Sequence, residues 1–328
     1  MKKIISLNIS RKSQFIIAFA IMGLLLLISY RSRSSCIIYM LPSEYLNNGN
    51  LAYFQFNNHN KLQELLPKNI RYIEQYNIIA SGQFSVNQFK NAIGSKTDII
   101  DVDLRNEYHG FNDLNPVSFI SLPYDDVNAN KSQEEIIVRE QYLFGSILPT
   151  YKQLSIYVNN LKTTPTKKDS VICIPISTKT EADIMANLNI DYYRITTLDH
   201  REPNRDNLDK MVALFDQKLK LNPSRWVYLH CLGGDGRTTA ATAELMMLKQ
   251  QEAGELQPFD DLVTYVESVS NGYKLVPSCK PSDQNYRCQW KLDRYNTLKI
   301  FYNFVRTRTE NQTFSDWHNV MFQKKKTL

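Results

Sequence analysis

The chain has 328 residues, 43% of them apolar and 11% aromatic, which excludes a disordered protein and allows one large domain, or one domain with a smaller one inserted. Eleven glycines and no evident internal repeat exclude collagen-like and solenoid architectures. The formal net charge of +6 suits an anionic small molecule or surface, but Lys324, Lys325 and Lys326 supply half of it away from any motif, and no nucleic-acid partner is expected.

In chain order, Lys2, Lys3, Arg11 and Lys12 precede an uncharged apolar run from Phe15 to Ile28, and Arg31 and Arg33 follow it. That run is short for a bilayer span and matches the apolar region of a signal peptide. Residues 1–34 are therefore expected to be an export signal or, since no clean A-x-A cleavage site follows, an uncleaved signal anchor. The expectation is an exported, periplasmic or secreted protein, with membrane anchoring as the alternative. Cys36 lacks a lipobox, and the polar stretch Asn47 to Asn60 reads as a linker. Ser85 and Gln88 make a capping box for a helix through Ile93, and Asp98 to Leu104 reads as a strand. Ser132 and Glu135 make a second box before a helical stretch to Leu161 that breaks at Pro149.

Val171 to Ile176 reads as a strand, Glu181 to Leu188 as a helix and Tyr192 to Thr196 as a strand. Asn207 to Leu219 is expected as a helix, and Trp226 to Leu229 as a strand that feeds an Ala-, Leu- and Met-rich helix from Thr239 to Leu248. Pro258 opens a helix to Val269, Trp290 to Val305 is the last long one, and residues 311–328 read as a tail. Strands alternating with helices imply an α/β fold with a mostly parallel central sheet and helices on both faces. Of the five cysteines, Cys173 reads as a core residue, and Cys279 and Cys288 can close a disulfide in an oxidising compartment. No Cys/His spacing suggests a metal, and no cofactor is expected.

Between the strand at Trp226 and the helix at Thr239 lies His230-Cys231-Leu232-Gly233-Gly234-Asp235-Gly236-Arg237-Thr238. Glycines let the loop curl so that successive N–H groups point inward, a nest for an anion at a helix N-terminus. Cys231 lies at its floor as a nucleophile, and Arg237 offers a planar fork to two phosphate oxygens. Asp235 puts a carboxylate in this cradle. It either repels polyanionic substrates, by roughly 1 kcal/mol at about 6 Å in a wet environment, or turns away to pair with a nearby Lys or Arg.

The segment resembles the HCxxGxGRT signature of cysteine-dependent phosphatases of the protein-tyrosine-phosphatase fold. Asp103 to Phe111 is similar to the DLRxExHG segment of the bacterial PTP-like phytases, and Tyr193 to His200 to their YRIxxTDH stretch, with Leu198 in place of the usual Thr. Ser81 to Ser85 looks like their entry segment. The resemblance implies a protein-tyrosine-phosphatase-like α/β domain at 81–310 and a small β-rich subdomain within 35–80 and 105–130. It also implies hydrolysis of inositol polyphosphates through a phosphocysteine on Cys231. Asp199 is then the general acid and base, or else merely caps a turn. Thr238 is the hydroxyl partner of the sulfur, and His230 orients the loop. Substrate contacts fall to Leu232, Gly233, Gly234, Asp235, Gly236 and Lys280, and to His200 unless it is an exposed loop residue. Lys179, Arg201, Arg205 and Lys274, with Lys280, are basic residues in loops near the expected mouth, each read more readily as solvated surface charge than as a substrate contact. Asp103, Arg105 and Glu107 read more readily as structural ion pairs. A protein or phosphoinositide phosphatase, secreted as an effector, is the alternative, and a non-catalytic phosphate-binding protein the third reading.

Overall fold

A computed structural model of the protein describes residues 52–56, 65–121, 126–150, 154–157, 170–173, 177–280, 282–283 and 285–323. The apolar N-terminal run, Cys36 and the terminal lysines lie outside the described residues. The strands among them are β1 (Ala52–Phe56), β2 (Arg71–Ile73), β3 (Ile78–Ser81), β4 (Ile99–Arg105), β5 (His109–Asn112), β6 (Asn115–Ser121), β7 (Leu154–Tyr157), β8 (Ser170–Cys173), β9 (Thr178–Lys179), β10 (Asp191–Thr197) and β11 (Trp226–His230). The helices are α1 (Val86–Ile93), α2 (Gln133–Tyr142), α3 (Glu181–Asn187), α4 (Arg205–Leu214), α5 (Gly236–Glu252), α6 (Phe259–Ser268), α7 (Tyr286–Thr307) and α8 (Phe314–Gln323).

The central sheet has the order β10, β4, β11, β3, β2, with the first four parallel and β2 antiparallel at the edge. Alternation along the strands divides its two faces. Ile100, Val102 and Leu104 of β4, Val227 and Leu229 of β11, and Ile78 and Ala80 of β3 meet α4 to α8 in the larger core. Ile99, Ile79 and Tyr228 meet α1 and α3 in the smaller one, through Phe89, Ile184 and Met185. α5 is buried on nearly all sides, as its Ala-, Leu- and Met-rich sequence requires. The capping boxes of Ser85 and Ser132 are both formed, and Thr180 makes a third at α3.

A second sheet, in the order β8, β7, β1, β6, β5, β9, is mostly antiparallel and is the β-rich subdomain. Three expectations need correction here. The Asn47 to Asn60 stretch contains β1, whose Ala-Tyr-Phe-Gln-Phe sequence is strand-forming despite its polar surroundings. The helix predicted to reach Leu161 stops earlier: α2 gives way to a π turn at Leu143–Ile147 and a 3₁₀ turn at Leu148–Thr150, and Leu154–Tyr157 is the strand β7. The subdomain therefore draws on residues 154–179 as well, and the strand beginning at Val171 pairs with β7 in this sheet. Residues 311–328 are not simply a tail, because Phe314 and Trp317 of α8 are buried against Phe304 of α7.

Candidate active site

The C-terminal ends of β3, β4, β10 and β11 converge on one edge, the usual place for a site in a parallel sheet. There the loop from β11 to α5 forms the cradle. Its carbonyls are tied back on the outside: Leu232 O accepts from Gln83 N at 3.1 Å, Gly233 O from the Asn69 amide at 2.8 Å, and Gly234 O from Arg71 Nη1 at 2.9 Å. Gly234 has φ +74, and a Cβ there would stand 2.4 Å from Gly82 N, so only glycine fits. Cys231 is buried at the floor.

Arg237 is fixed by Glu107, whose two oxygens receive Nη1 at 2.7 Å and Nη2 at 3.0 Å. Nη1 also donates to Thr197 O at 3.1 Å. Burial works against the guanidinium, but Glu107, Asp199 and Cys231 outweigh it and raise its pKa well above the usual value. Asp199, on the loop after β10, lies 2.9 Å from Arg237 Nη2 and 3.1 Å from His200 Nε2. The expected acid is thus beside the expected phosphate fork.

The loop carrying Asp199 is docked on α7. The Arg201 guanidinium stacks 4.2 Å over the Trp290 ring, and His200 stacks on the same ring with centroids 6.3 Å apart. Arg294 donates from Nε and Nη2 to Arg201 O at 3.2 and 3.1 Å, and from Nη1 to the Tyr273 hydroxyl at 2.8 Å. His200 has φ +61 and a half-exposed ring at the loop surface; burial, together with Arg237, Arg287 and Arg294, lowers its pKa against the pull of Asp199.

Some expected roles change. Thr238 donates its hydroxyl to Ser81 O at 3.3 Å, at the end of β3. Asp235 Oδ1 accepts from Asn69 at 2.9 Å on the β2 side of the loop, and its charge acts on the neighbouring Arg71 guanidinium. Glu107 is an ion-pair residue, but its pair is with the cradle arginine as well as Arg105. Lys280 is exposed, and its backbone N–H donates to Asp283 Oδ2 at 2.9 Å while its carbonyl accepts from Asp283 N at 3.0 Å. Arg205 reaches Asn319 on α8 and Lys274 pairs with Glu267, so these cations are not gathered at the cradle. A cleft of about 330 Å³ beside Leu198 holds Lys131 and Lys210, but also Glu134, Glu202 and Asp206, and is not a cation ring.

Behind the cradle lies a buried polar layer on the second face of β4. Asp101, Asp103 and Arg105 of β4 share it with His230, His109, Glu140, Glu181 and Arg194, all buried. Two triplets, Asp101–Glu181–His230 and Asp103–His109–Glu181, bring ligand atoms within 4.8 Å, a grouping hidden from sequence spacing. Acidic and basic side chains face one another within the layer. Asp103, Glu107, Glu140 and Glu181 face Arg105, Arg194, Arg237 and His109, and burial next to Glu181 raises Asp101 well above the usual carboxyl range, leaving it neutral. Burial and Arg105 push the His109 imidazole down, but Asp103 and Glu140 prevail and lift it to about 9. In the Cys279, Asp283 and Cys288 group the two cysteines form a disulfide.

A buried cysteine ahead of a glycine-rich loop, an arginine fork in the first turn of the following helix and an aspartate on a neighbouring loop are the arrangement expected of the protein-tyrosine-phosphatase fold. Residues 102–249, a little under half of the chain, match the PTP-like phytase family model, described by inositol hexakisphosphate. The fold is similar to that of the tandemly repeated phytase from Mitsuokella multacida (TM-score 0.71, 23% identity, 84% of this chain and 48% of that one). A structure of the myo-inositol phosphatase from the same organism in complex with myo-inositol-(1,3,4,5)-tetrakisphosphate is equally similar (TM-score 0.71, 22% identity, 84% and 48%). The phytase from Bdellovibrio bacteriovorus matches at TM-score 0.64 and 22% identity, over 81% of this chain and 94% of that one. Effector protein hopD2 of Pseudomonas syringae pv. tomato is 24% identical over 205 residues, 62% of this chain and 42% of the effector. The chain thus spans less than half the length of the effector and of the Mitsuokella chains.

Proposed function

We propose that this protein is a cysteine-dependent phosphatase that removes phosphate from myo-inositol polyphosphates. The observation that carries the reading is the Arg237 fork, held by Glu107 above a buried Cys231 and 2.9 Å from Asp199. The Cys231 thiolate attacks phosphorus in line, the phosphorus–oxygen bond to the inositol breaks, and Asp199 gives its proton to the departing alkoxide. Water then attacks the phosphocysteine with Asp199 taking back a proton, and the thiolate leaves. Arg237 and the nest meet the charge that gathers on the equatorial oxygens.

The substrate class follows from the family match and from the Mitsuokella enzyme seen with an inositol tetrakisphosphate. A second reading, a protein or phosphoinositide phosphatase acting as a secreted effector, is favoured by the likeness to hopD2. Export is part of both readings, and the Cys279–Cys288 disulfide fits an oxidising compartment. A panel of inositol phosphates, phosphotyrosyl peptides and phosphoinositide vesicles decides between them. The first reading expects kcat/KM to be highest on soluble inositol phosphates; preference for peptide or lipid gives the second.

A further inference from the structure

The two halves of the cradle are braced by different residues. Asn69, Arg71 and Glu107 hold the anion-binding half, from Gly233 to Arg237. The nucleophile half begins at His230, whose ring is wholly buried directly before Cys231. Its Nε2 is 2.7 Å from Glu181 Oε1, 3.6 Å from Asp101 Oδ1 and 4.0 Å from Asp103 Oδ1, while the Phe84 ring packs edge-on at 4.9 Å and Tyr228 lies at 6.3 Å. The other oxygen of Glu181 lies 3.1 Å from His109 Nε2, so one carboxylate stands in ion-pair contact with two buried imidazoles, at close distance but outside hydrogen-bond geometry. Thr180 caps α3 and places Glu181 at its first turn, where the helix N-terminus favours a carboxylate. Burial opposes ionisation, but His230 and His109 hold Glu181 down at about 2, so it is charged at any working pH. Glu181 is fully buried and takes no part in the phosphoryl-transfer steps above.

We propose that Glu181 is a positioning residue for the nucleophile: by holding the His230 ring it fixes where the Cys231 sulfur stands relative to the phosphate nest. This rests on the reading of Cys231 as the nucleophile. Because the anion-binding half has its own braces, loss of Glu181 acts on the chemical step and spares binding.

The test uses the full chain, with iodoacetamide alkylation of Cys231 read by mass spectrometry beside kcat and KM on phytate. Glu181→Gln is expected to slow alkylation and lower kcat by about tenfold or more, since small displacements of reacting atoms cost that much, while KM and inhibition by inorganic phosphate stay within about twofold. Glu181→Asp, which keeps the charge, is expected to recover most of the loss. Alkylation at the wild-type rate in Glu181→Gln, or KM rising in step with the fall in kcat, overturns the proposal. Should Glu181→Gln fail to fold, His230→Asn carries the test, because Glu181 acts through that ring; unchanged alkylation there overturns it equally. Alkylation needs no substrate, so a wild-type chain that releases no phosphate defeats the proposed function while this inference is still decided on the thiol.

Discussion

At the scale of single residues, Glu107 shows how the chemistry of the cradle depends on a buried charge that never touches substrate. Glu107→Gln leaves Arg237 with one carboxylate partner fewer in a buried setting, and is expected to destabilise the fold by about 3–5 kcal/mol in urea unfolding. A loss below about 1 kcal/mol would show that Asp199 and solvent suffice to hold the fork. Gly234→Ala forces a side chain into the Gly82 backbone at φ +74 and is expected to abolish phosphate binding, measured by calorimetry with vanadate or phosphate; tight binding in that variant contradicts the cradle geometry. The residues of the signature loop were legible in the sequence because fixed spacing alone brings Cys231, the glycines and Arg237 together. Asn69 and Arg71 were not, since they reach the loop from β2 and its approach, far away in sequence, and a lone Arg or Asn in a short edge strand carries no pattern.

At the scale of elements, α7 does more than fill the core. Its buried stripe of Trp290, Arg294, Leu298, Phe301 and Phe304 follows helical spacing, and its first two members grip the loop that carries Asp199. Trp290→Ala removes the stacking surface for Arg201 and His200 and is expected to lower kcat about tenfold on phytate, with a smaller change in KM, because the acid loop loses its seat. Equal kcat in variant and wild type would mean that Arg294 alone seats the loop. The central sheet was readable from alternating apolar strands and capped helices. The second sheet was largely not: β1, β7 and β9 are short, and their partners lie far along the chain, so local periodicity could not separate β7 from the helical stretch before it. α8 escaped notice for a related reason, since Phe314 and Trp317 show only one turn of helical spacing.

At the scale of the whole molecule, the buried polar layer sets a pH window for stability. His109, raised from 6.5 to about 9, contributes stability fully present below pH 6.5 and lost as pH rises through 9, amounting to about 3 kcal/mol. Glu181, lowered from 4.5 to about 2, contributes stability present above pH 4.5 and lost as pH falls through 2. Burial raises Glu244 from 4.5 to about 8, so stability falls as pH rises from 4.5 through 8 and this carboxyl loses its proton in the fold. Urea unfolding across pH is therefore expected to show its maximum near pH 4.5, falling above it through Glu244 and more steeply above pH 6.5 through His109, with that upper limb flattened in His109→Gln; a curve that rises toward pH 9 contradicts this arrangement of charges. The central claim, phosphoryl transfer through Cys231 with Asp199 as acid, is tested most directly by phosphate release from phytate by the full chain, Cys231→Ser and Asp199→Asn. Release by the wild type, none by Cys231→Ser and a loss of about 10²-fold or more in Asp199→Asn are expected. Release retained by Cys231→Ser, or no release by the wild type, would contradict the account.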